Sequence, residues 1–517
     1  MLKILMMMDI NNTLLRRIRS GDIRTQETLE VEKNKLAKIL GTGRVIKNAE
    51  ILEAAEGSAD YDEMRKFLLT KPVRTSSGIA NIALMWKYND LANSCPFSCI
   101  YCPQGKDGDT YIAPKSYTGV EPTTMRAIRN GYDPVKQISG RLKQFHMIGH
   151  KTDKCELIIM GGTFMCTPPL FQEDFIKQCF DAFNDEPSAS LHDAHTMNET
   201  AANRCIGLTI ETRADVCLPG KMLSYGCTRV EIGVQSTDDD ILLKTKRGHD
   251  SRANIDAFTK LKDAGLKVCA HWMPGLTGIY GSVDMQKEIS MFNELFSSAY
   301  RPDEIKVYPT LVIPGTELHE MWKEGSFAAI TRDEMISLLV EMKKIIPPYV
   351  RVKRIMRDIS EKKVVAGAKT TNLRQFTQER MKELGLRCRC IRCREIRLDD
   401  YDSYDLNSFE YEASGGKEVF LSFDAMDRIL AFLRLRIDDG PAKVRELHVY
   451  GKMAQLSGPS NIQHRGFGSM LLEKAEEIAK QHGKSSIQVT SGIGVREYYR
   501  KRGYSPEGFY MTKKLLK

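Results

Sequence analysis

Three cysteines stand close together in the run Ser94-Cys95-Pro96-Phe97-Ser98-Cys99-Ile100-Tyr101-Cys102, a C-x3-C-x2-C spacing. Thiolates this near on one loop converge on a single centre. Three of them suit three corners of a four-iron, four-sulfur cluster and leave the fourth iron open to a small ligand. A structural zinc loop is the alternative, but zinc normally takes four protein ligands, usually from two paired cysteine motifs. The expected chemistry is therefore that of a [4Fe-4S] cluster with one open coordination position.

Two further motifs lie downstream. Cys388, Cys390 and Cys393 fall within six residues, which packing alone does not require, and Arg387, Arg389, Arg392 and Arg394 are interleaved with them. A zinc site is the expected reading, with no fourth ligand nearby; a second iron–sulfur cluster is the alternative. Gln463-x-x-Gly466-Phe467-Gly468 then opens a long helical pattern that continues with Ser469. Glycines there let backbone N–H groups curl round a pyrophosphate, and a helix N-terminus favours its charge. The preceding strand-like run includes Glu446, Leu447, His448 and Val449 and can offer backbone groups to a pantetheine arm.

Elements must hold these motifs in place. The chain has 517 residues, 42% hydrophobic and 28% charged, so two or three domains with ordinary cores are expected. No apolar run is long enough for a membrane span. The N-terminal run MLKILMMMDI lacks a small-residue cleavage site and reads as a helix end rather than a signal peptide. Thirteen cysteines without such a signal point to a reducing cytoplasm. The seven cysteines outside the two clusters read as buried small hydrophobes. The net charge is +9, and residues 351–400 hold fifteen Lys/Arg against seven Asp/Glu, a concentration that suits a polyanion such as nucleic acid.

Residues 1 to about 75 read as helices, with Leu29, Val31, Leu36, Ile39 and Leu40 as an apolar stripe ended by Gly41-Thr42-Gly43, and Lys71-Pro72 closing the segment. Short apolar runs then alternate with amphipathic stretches: 82–85, 157–160, 206–210, 230–234, 268–270, 305–308 and 350–355. Repeated β-α units of this kind build a parallel sheet or barrel, whose chemistry collects at the C-terminal strand ends. Just after these runs stand Cys95–Cys102, Gly161-Gly162-Thr163, Glu211-Thr212-Arg213, Gln235-Ser236 and His271. From about 405, strands at 418–423, 429–435, 444–449 and 487–490, with a helix over 468–482, make a compact α/β unit. The expected fold class is α/β, in four parts: a helical segment over 1–75, a partial (β/α) barrel over 76–356, a basic linker with the second cysteine site over 357–404, and a compact α/β domain over 405–517. The resemblances given next imply that the first part grips tRNA and the last is a GNAT-type acetyltransferase domain.

The cysteine loop with Tyr101 before its last member resembles the signature of the radical S-adenosylmethionine (SAM) superfamily, where SAM binds the open iron. Gly161-Gly162-Thr163 resembles that superfamily's strand-end glycine motif near the SAM amino group, and Glu211, Arg213 and Gln235 are placed to meet the SAM ribose and carboxylate. The Gln463–Gly468 loop resembles the acetyl-CoA site of GNAT-type N-acetyltransferases. Tyr498 and Tyr499 fall where that family often has a tyrosine near the CoA sulfur, and Tyr499 is the candidate carried forward. The pairing of these two domains, and stretches such as Glu211-Thr-Arg-Ala-Asp215, Glu231-Ile-Gly-Val-Gln-Ser236 and Arg445–Tyr450, resemble the Elongator catalytic-subunit family, in an archaeal or bacterial stand-alone form. Ala214 stands where that family usually has proline.

The resemblance implies a tRNA uridine acetyltransferase. In the family scheme a deoxyadenosyl radical takes hydrogen from the methyl of acetyl-CoA, the carbon radical adds to C5 of the wobble uracil, and thioester hydrolysis leaves a carboxymethyl group. Lys154 matches the family's lysine implicated in acetyl-CoA handling. The implied partners are the tRNA anticodon stem-loop, acetyl-CoA and an external electron donor, with no membrane and with a homodimer allowed. A protein lysine acetyltransferase with a structural barrel is the alternative activity.

Overall fold

The computed structural model describes residues 2–39, 46–70, 75, 78–87, 95–107, 110–370, 372–396, 401, 403–450 and 466–515. The helix-ending Gly41-Thr42-Gly43 and Lys71-Pro72, together with Leu40 and Gln463, lie outside them.

Seven parallel strands form the larger sheet in sequence order: β1 (Ala80–Met85), β2 (Lys154–Met160), β3 (Arg204–Thr212), β4 (Cys227–Gln235), β5 (Lys267–Trp272), β6 (Glu304–Val307) and β7 (Arg351–Ile355). β1 and β7 are the two edges and do not pair with each other, so the barrel is partial. Each expected apolar run lies on one of these strands. In β2 the alternation is plain: Cys155, Leu157 and Ile159 are buried, while Lys154, Glu156, Ile158 and Met160 turn to the other face and are half-buried. The apolar side meets helices such as Pro134–Met147 and Pro169–Asn184. Their starts are fixed locally by Pro at the first turn, where a missing N–H costs nothing.

The second sheet runs β8 (Asp405–Ala413), β9 (Gly416–Ala425), β10 (Arg428–Ile437), β11 (Ala442–Val449), β12 (Ser486–Val489), then β14 (Tyr510–Lys514) and β13 (Ser505–Glu507) at its far edge. β8 to β11 are antiparallel neighbours, whereas β11 and β12 are parallel, with the helix Phe467–Gln481 between them in sequence. The expected strands fall on β9 to β12. β8 escaped the pattern reading because its first six residues are exposed on both faces.

Four helices, α1 (Leu2–Arg19), α2 (Gln26–Ile39), α3 (Asn48–Ala54) and α4 (Tyr61–Leu68), build a separate small core around Leu14, Leu29, Ile51 and Leu68. The expected apolar stripe of α2 is narrower than its sequence pattern. Leu29 is buried and Leu36 half-buried, but Val31 and Ile39 are 64% and 66% exposed. The face of α2 that is buried carries Leu29 and Lys33 instead. The basic span is not a bare linker: helix Leu373–Glu383 packs on Arg332–Ile345, and Leu373, Met381, Cys390 and Ile391 are buried. Of the seven scattered cysteines, Cys155, Cys179, Cys205, Cys227 and Cys269 are buried, and Cys166 and Cys217 are partly exposed.

The two sheets dock through buried charge. Arg445 of β11 grips Asp303, just before β6, with Nη1–Oδ2 at 2.8 Å and Nη2–Oδ1 at 2.6 Å, and also donates to Glu418 and to the Leu266 carbonyl. Glu446 accepts from Lys267 at the start of β5 and from Arg434. Arg436 reaches Asp263 and Glu418. After β12, Gly492 and Gly494 press on the start of β3 so closely that a Cβ on Gly492 would lie 2.0 Å from the Ile206 carbonyl oxygen. The acetyltransferase-like sheet is therefore seated on the N-terminal ends of β3, β5, β6 and β7.

Candidate active site

At the opposite, C-terminal ends of the strands lies an open-mouthed cavity of about 140 Å³. Cys95, Cys99 and Cys102 line it, together with Gly162, Glu211, Arg213 and Gln235. The cysteine loop is pinned from several sides. Lys115 Nζ donates to the Cys95 carbonyl at 2.8 Å and the Phe97 carbonyl at 3.2 Å. Ile100 N donates to the Thr245 carbonyl, and the Ile100 carbonyl accepts from Leu318 N. Cys102 Sγ lies 3.3 Å from Ser116 Oγ. Burial, with the neighbouring Cys99 and Cys95, pushes the Cys102 thiol up to about 11, so a bound cation is what would favour its thiolate.

Two guanidiniums face the same sulfur. Arg247 Nη1 is 3.7 Å and Arg213 Nη1 is 3.9 Å from Cys99 Sγ. Arg213 is fixed by Asp215 at 2.9 Å, by the Arg247 carbonyl, by His249 Nδ1 at 3.0 Å, and by stacking 3.3 Å over the Phe97 ring. Its charge is thus met first by Asp215 in a two-armed pair, with Cys99 Sγ at the longer distance. Arg247 is a residue that motif reading missed, because it stands alone in the sequence and only the helix Asp239–Lys244 after β4, with the turn that ends it, brings it to Cys99.

Glu211 Oε2 accepts from Gly161 N at 3.1 Å and from Tyr117 Oη at 2.9 Å. Gly161 has φ 126°, and a Cβ there would lie 2.7 Å from Trp86 Nε1, so only glycine fits the strand end. Gln235 also has a positive φ, 70°, an uncommon conformation that functional sites retain. Its buried Oε1 has no hydrogen-bond partner among the described residues, nor do Tyr101 Oη, Thr212 Oγ1 and His249 Nε2. Orphaned polar atoms around three thiols and two cations are what a cluster with a polar, zwitterionic ligand would satisfy. The residues fit [4Fe-4S] and SAM. Cys166, on the turn after Thr163, adds a further thiol within electrostatic range of Cys95 and is itself pushed up to about 11, chiefly by burial.

Lys154 is elsewhere. It opens β2, six residues before the cavity end, which places it about 20 Å away at strand rise. It shares the inner face with Glu156 and is paired in register with Arg204. Burial, then Arg204, lower its pKa.

In the second sheet β11 and β12 pair only over Ala442–Val444 and Ile487–Val489 and then part. The wedge between them is closed at the top by the helix Phe467–Gln481, which starts from Gly466 with φ 79°. Phe467 is buried against Tyr404 and Phe423. Ser469 Oγ accepts from Arg502 Nε at 3.1 Å and Nη2 at 2.9 Å, and Arg502 stacks 3.6 Å from the Tyr498 ring centre. Tyr498 rather than Tyr499 faces this helix start: a Cβ on Gly468 would lie 2.4 Å from Tyr498 Oη and 3.7 Å from Val449. Tyr499 is buried between Tyr498 and Tyr504, and burial pushes its hydroxyl well up. Glu446 is committed to Lys267 and Arg434, Leu447 and Val449 are half-buried, and His448 Nε2 is buried without a partner among the described residues.

The Sγ atoms of Cys388, Cys390 and Cys393 lie within 4.8 Å of one another, and Lys343 Nζ is 3.8 Å from Cys393 Sγ. Three converging sulfurs fit three corners of a tetrahedral metal. No fourth His, Cys, Asp or Glu joins them among the described residues.

Comparison with known proteins agrees with both halves. Residues 90–282 match the Radical SAM superfamily, 302–383 the Radical_SAM C-terminal domain and 386–504 the Acetyltransferase (GNAT) family. The chain is 44% identical to a tRNA uridine(34) acetyltransferase of Methanocaldococcus infernus, over 97% of this chain and 98% of that protein. It is 40% identical to human Elongator complex protein 3, over 99% and 97%. The solved structure of the M. infernus Elp3 with an N-terminal deletion (1–46) superposes with a TM-score of 0.73 at 42% identity, covering 85% of this chain and all of that one. Barrel, cysteine loop and acyl-CoA wedge therefore come together in a chain that belongs to the Elongator complex protein 3/tRNA uridine(34) acetyltransferase family.

Proposed function

We propose that the protein attaches an acetyl-derived carboxymethyl precursor to C5 of the wobble uridine, uridine 34, of tRNA, using SAM and acetyl-CoA. The carrying observation is the docking of the two sheets. Just past the point where β11 and β12 part, both strands touch the barrel rim, β11 through Arg445 and Glu446 and the β12 turn through Gly492 and Gly494. The acceptor side of an acyl-CoA wedge thus faces the barrel, which favours transfer within the chain over acetylation of an outside protein lysine.

In this reading Cys95, Cys99 and Cys102 hold the cluster, and Gly161, Gly162, Glu211 and Gln235 receive SAM, with Arg213 and Arg247 balancing the thiolate charge. A reduced [4Fe-4S] cluster with bound SAM supplies one-electron cleavage and a carbon radical; the electron comes from a donor outside the chain. Glu211 is held by Gly161 N and Tyr117 and can accept from an ammonium group. The helix start at Gly466, Gly468 and Ser469 receives the CoA pyrophosphate, and Tyr498 stands beside it as the hydroxyl nearest a thioester sulfur. Cys388, Cys390 and Cys393 hold zinc. The basic residues of 351–400 and the helices of 1–75 grip the anticodon stem-loop, whose wobble base leaves its stack to enter the cavity. No helix among the described residues is long and apolar enough to cross a membrane, which suits an enzyme acting on tRNA in the cytoplasm. A homodimer is compatible with the arrangement.

The test is anaerobic reconstitution with SAM, dithionite, acetyl-CoA and tRNA. 5′-Deoxyadenosine and C5-carboxymethylated wobble uridine should both form, and Cys99→Ala should abolish both. Modification that persists in Cys99→Ala would falsify the radical route. Acetylated protein formed without SAM or reductant would instead favour the lysine acetyltransferase.

A further inference from the structure

The inside of a parallel barrel is ordinarily packed with branched aliphatic side chains. Here the inner face carries charge from top to bottom. Glu156 of β2, Arg229 and Glu231 of β4, and Glu304 and Lys306 of β6 touch one another across non-adjacent strands, which only a concave face allows, and Lys353 joins them from β7 beside β6. Arg229 Nη1 is 2.5 Å from Glu156, Lys306 donates to Glu231, and Lys353 Nζ is 3.5 Å from Glu304.

The column is not dry by its own bonding. Arg229 Nε and Nη2, Glu231 Oε1 and Glu304 Oε2 are buried and make no hydrogen bond among the described residues. Arg229 Nε stands 3.6 Å from Glu304 Oε2 and 3.9 Å from Glu231 Oε1, too far for direct bonds. Each unmet buried polar atom is costly, more so on a charged group, and contacts of this length are where a water sits between partners. A buried water needs two to four polar neighbours, and these four atoms provide them. The upper end of the column, Glu231 with His271, opens on the cavity. The lower end is Lys267 on Glu446, beside the unpartnered Nε2 of His448 under the acyl-CoA wedge.

We propose that the barrel lumen is a water-filled shaft that supplies the hydrolytic water to the cavity from its acetyltransferase end. The inference rests on the function proposed above, in which a uridine-bound acyl-CoA thioester must be hydrolysed. The water oxygen bonds to the thioester carbonyl carbon and the C–S bond breaks with its electron pair on the CoA sulfur. One water proton ends on that sulfur and the other leaves the new carboxyl group; nothing is oxidised or reduced. Once tRNA is seated over its mouth the cavity loses its direct route to bulk water, yet the last step consumes one molecule. A shaft from below meets both demands.

Two measurements test this. An anaerobic crystal structure of the whole chain, refined far enough to show ordered solvent, should place water within hydrogen-bond distance of Arg229 Nε, Glu231 Oε1 and Glu304 Oε2. Direct side-chain pairing with no water there overturns the shaft. Cys269, buried against Glu231 and His271 on the same face, offers a plug. Cys269→Leu should leave SAM-dependent 5′-deoxyadenosine formation intact, lower carboxymethyluridine about tenfold, and leave tRNA carrying a CoA thioester, read by mass spectrometry, while Cys269→Ser behaves like wild type. Full product release in Cys269→Leu with no adduct overturns the proposal. If Cys269→Leu fails to fold, the solvent positions in the wild-type crystal decide. If the wild type forms neither deoxyadenosine nor modified uridine, the functional reading fails while the solvent positions still test the shaft.

Discussion

Arg445 and Asp303 form a two-armed ion pair, 2.6 and 2.8 Å, with both side chains fully buried between the acetyltransferase-like sheet and the barrel. Removing Arg445 takes the bidentate partner from Asp303, leaving it only the more distant Arg434, and also takes a partner from Glu418. Breaking a buried pair in this way typically costs about 3–5 kcal/mol. Arg445→Met should therefore lower the denaturant midpoint by that equivalent. Surface Lys474→Met, whose partner Glu477 lies one helical turn away in the open, should change it by less than about 1 kcal/mol. Equal effects would show that the interface carries no special weight.

The same network sets an acid limit. Burial alone would raise Asp303, Glu446 and Glu156, but Arg445 on the first, Lys267 on the second and Arg229 on the third outweigh it, and Glu156 is brought down to about 2. In the unfolded chain these carboxyls titrate near pH ~4, so their contribution is complete above that and is lost as pH falls towards the folded values. Stability should already decline below about pH 6.5, because burial brings His195 down to about 3 and His448 down to about 4 and both resist the proton that the unfolded chain takes up. Below about pH 5 the carboxyls add a steeper fall, which should be shallower in Arg445→Met. Equilibrium unfolding at stepped pH reads both slopes.

Arg247→Met removes one of the two cations facing Cys99 Sγ. Cationic hydrogen-bond donors at cluster sulfurs favour the reduced, more negative state. The reconstituted variant should show a midpoint potential more negative than wild type in an EPR-monitored redox titration, with iron content unchanged. An unchanged potential would assign Arg247 to ligand binding alone.

Gly161→Ala places a Cβ 2.7 Å from the Trp86 indole nitrogen and imposes a side chain at φ 126°. Strain of this kind costs about 1–3 kcal/mol. The variant should melt lower and, because Gly161 N anchors Glu211, bind SAM more weakly by calorimetry. Gly220→Ala, with open space around its Cβ, is the control that should change neither.

Cys393→Ser should drop the metal content measured by plasma mass spectrometry from about one zinc per chain towards none. It should also expose the helix Leu373–Glu383 to proteolysis, since the cysteines lie between that helix and β8. Metal retained in full would move the site elsewhere.

The architecture was largely legible because local patterns carry it. β-branched runs of the right length mark β2 to β6, and C-x3-C-x2-C marks the loop that follows β1. What escaped was set by tertiary contact. Arg247 belongs to no motif until the helix Asp239–Lys244 and the turn that ends it fold it onto Cys99. Tyr498 and Tyr499 are neighbours in sequence, and only the phase of a five-residue helix decides which one meets Gly468. Val31 and Ile39 fit a helical stripe on paper, yet α2 has too few neighbours to cover them. β8 alternates too weakly to be read because its outer face and most of its inner face meet solvent.

The charged seam between the sheets also bears on heredity. Arg434, Arg436 and Arg445 belong to one half, while Asp263, Asp303 and Lys267 belong to the other. Each half is thus the other's counterion, and a gene split between them would yield two products with raw, uncompensated faces. The two halves are therefore expected to keep each other soluble and to persist as one folded unit.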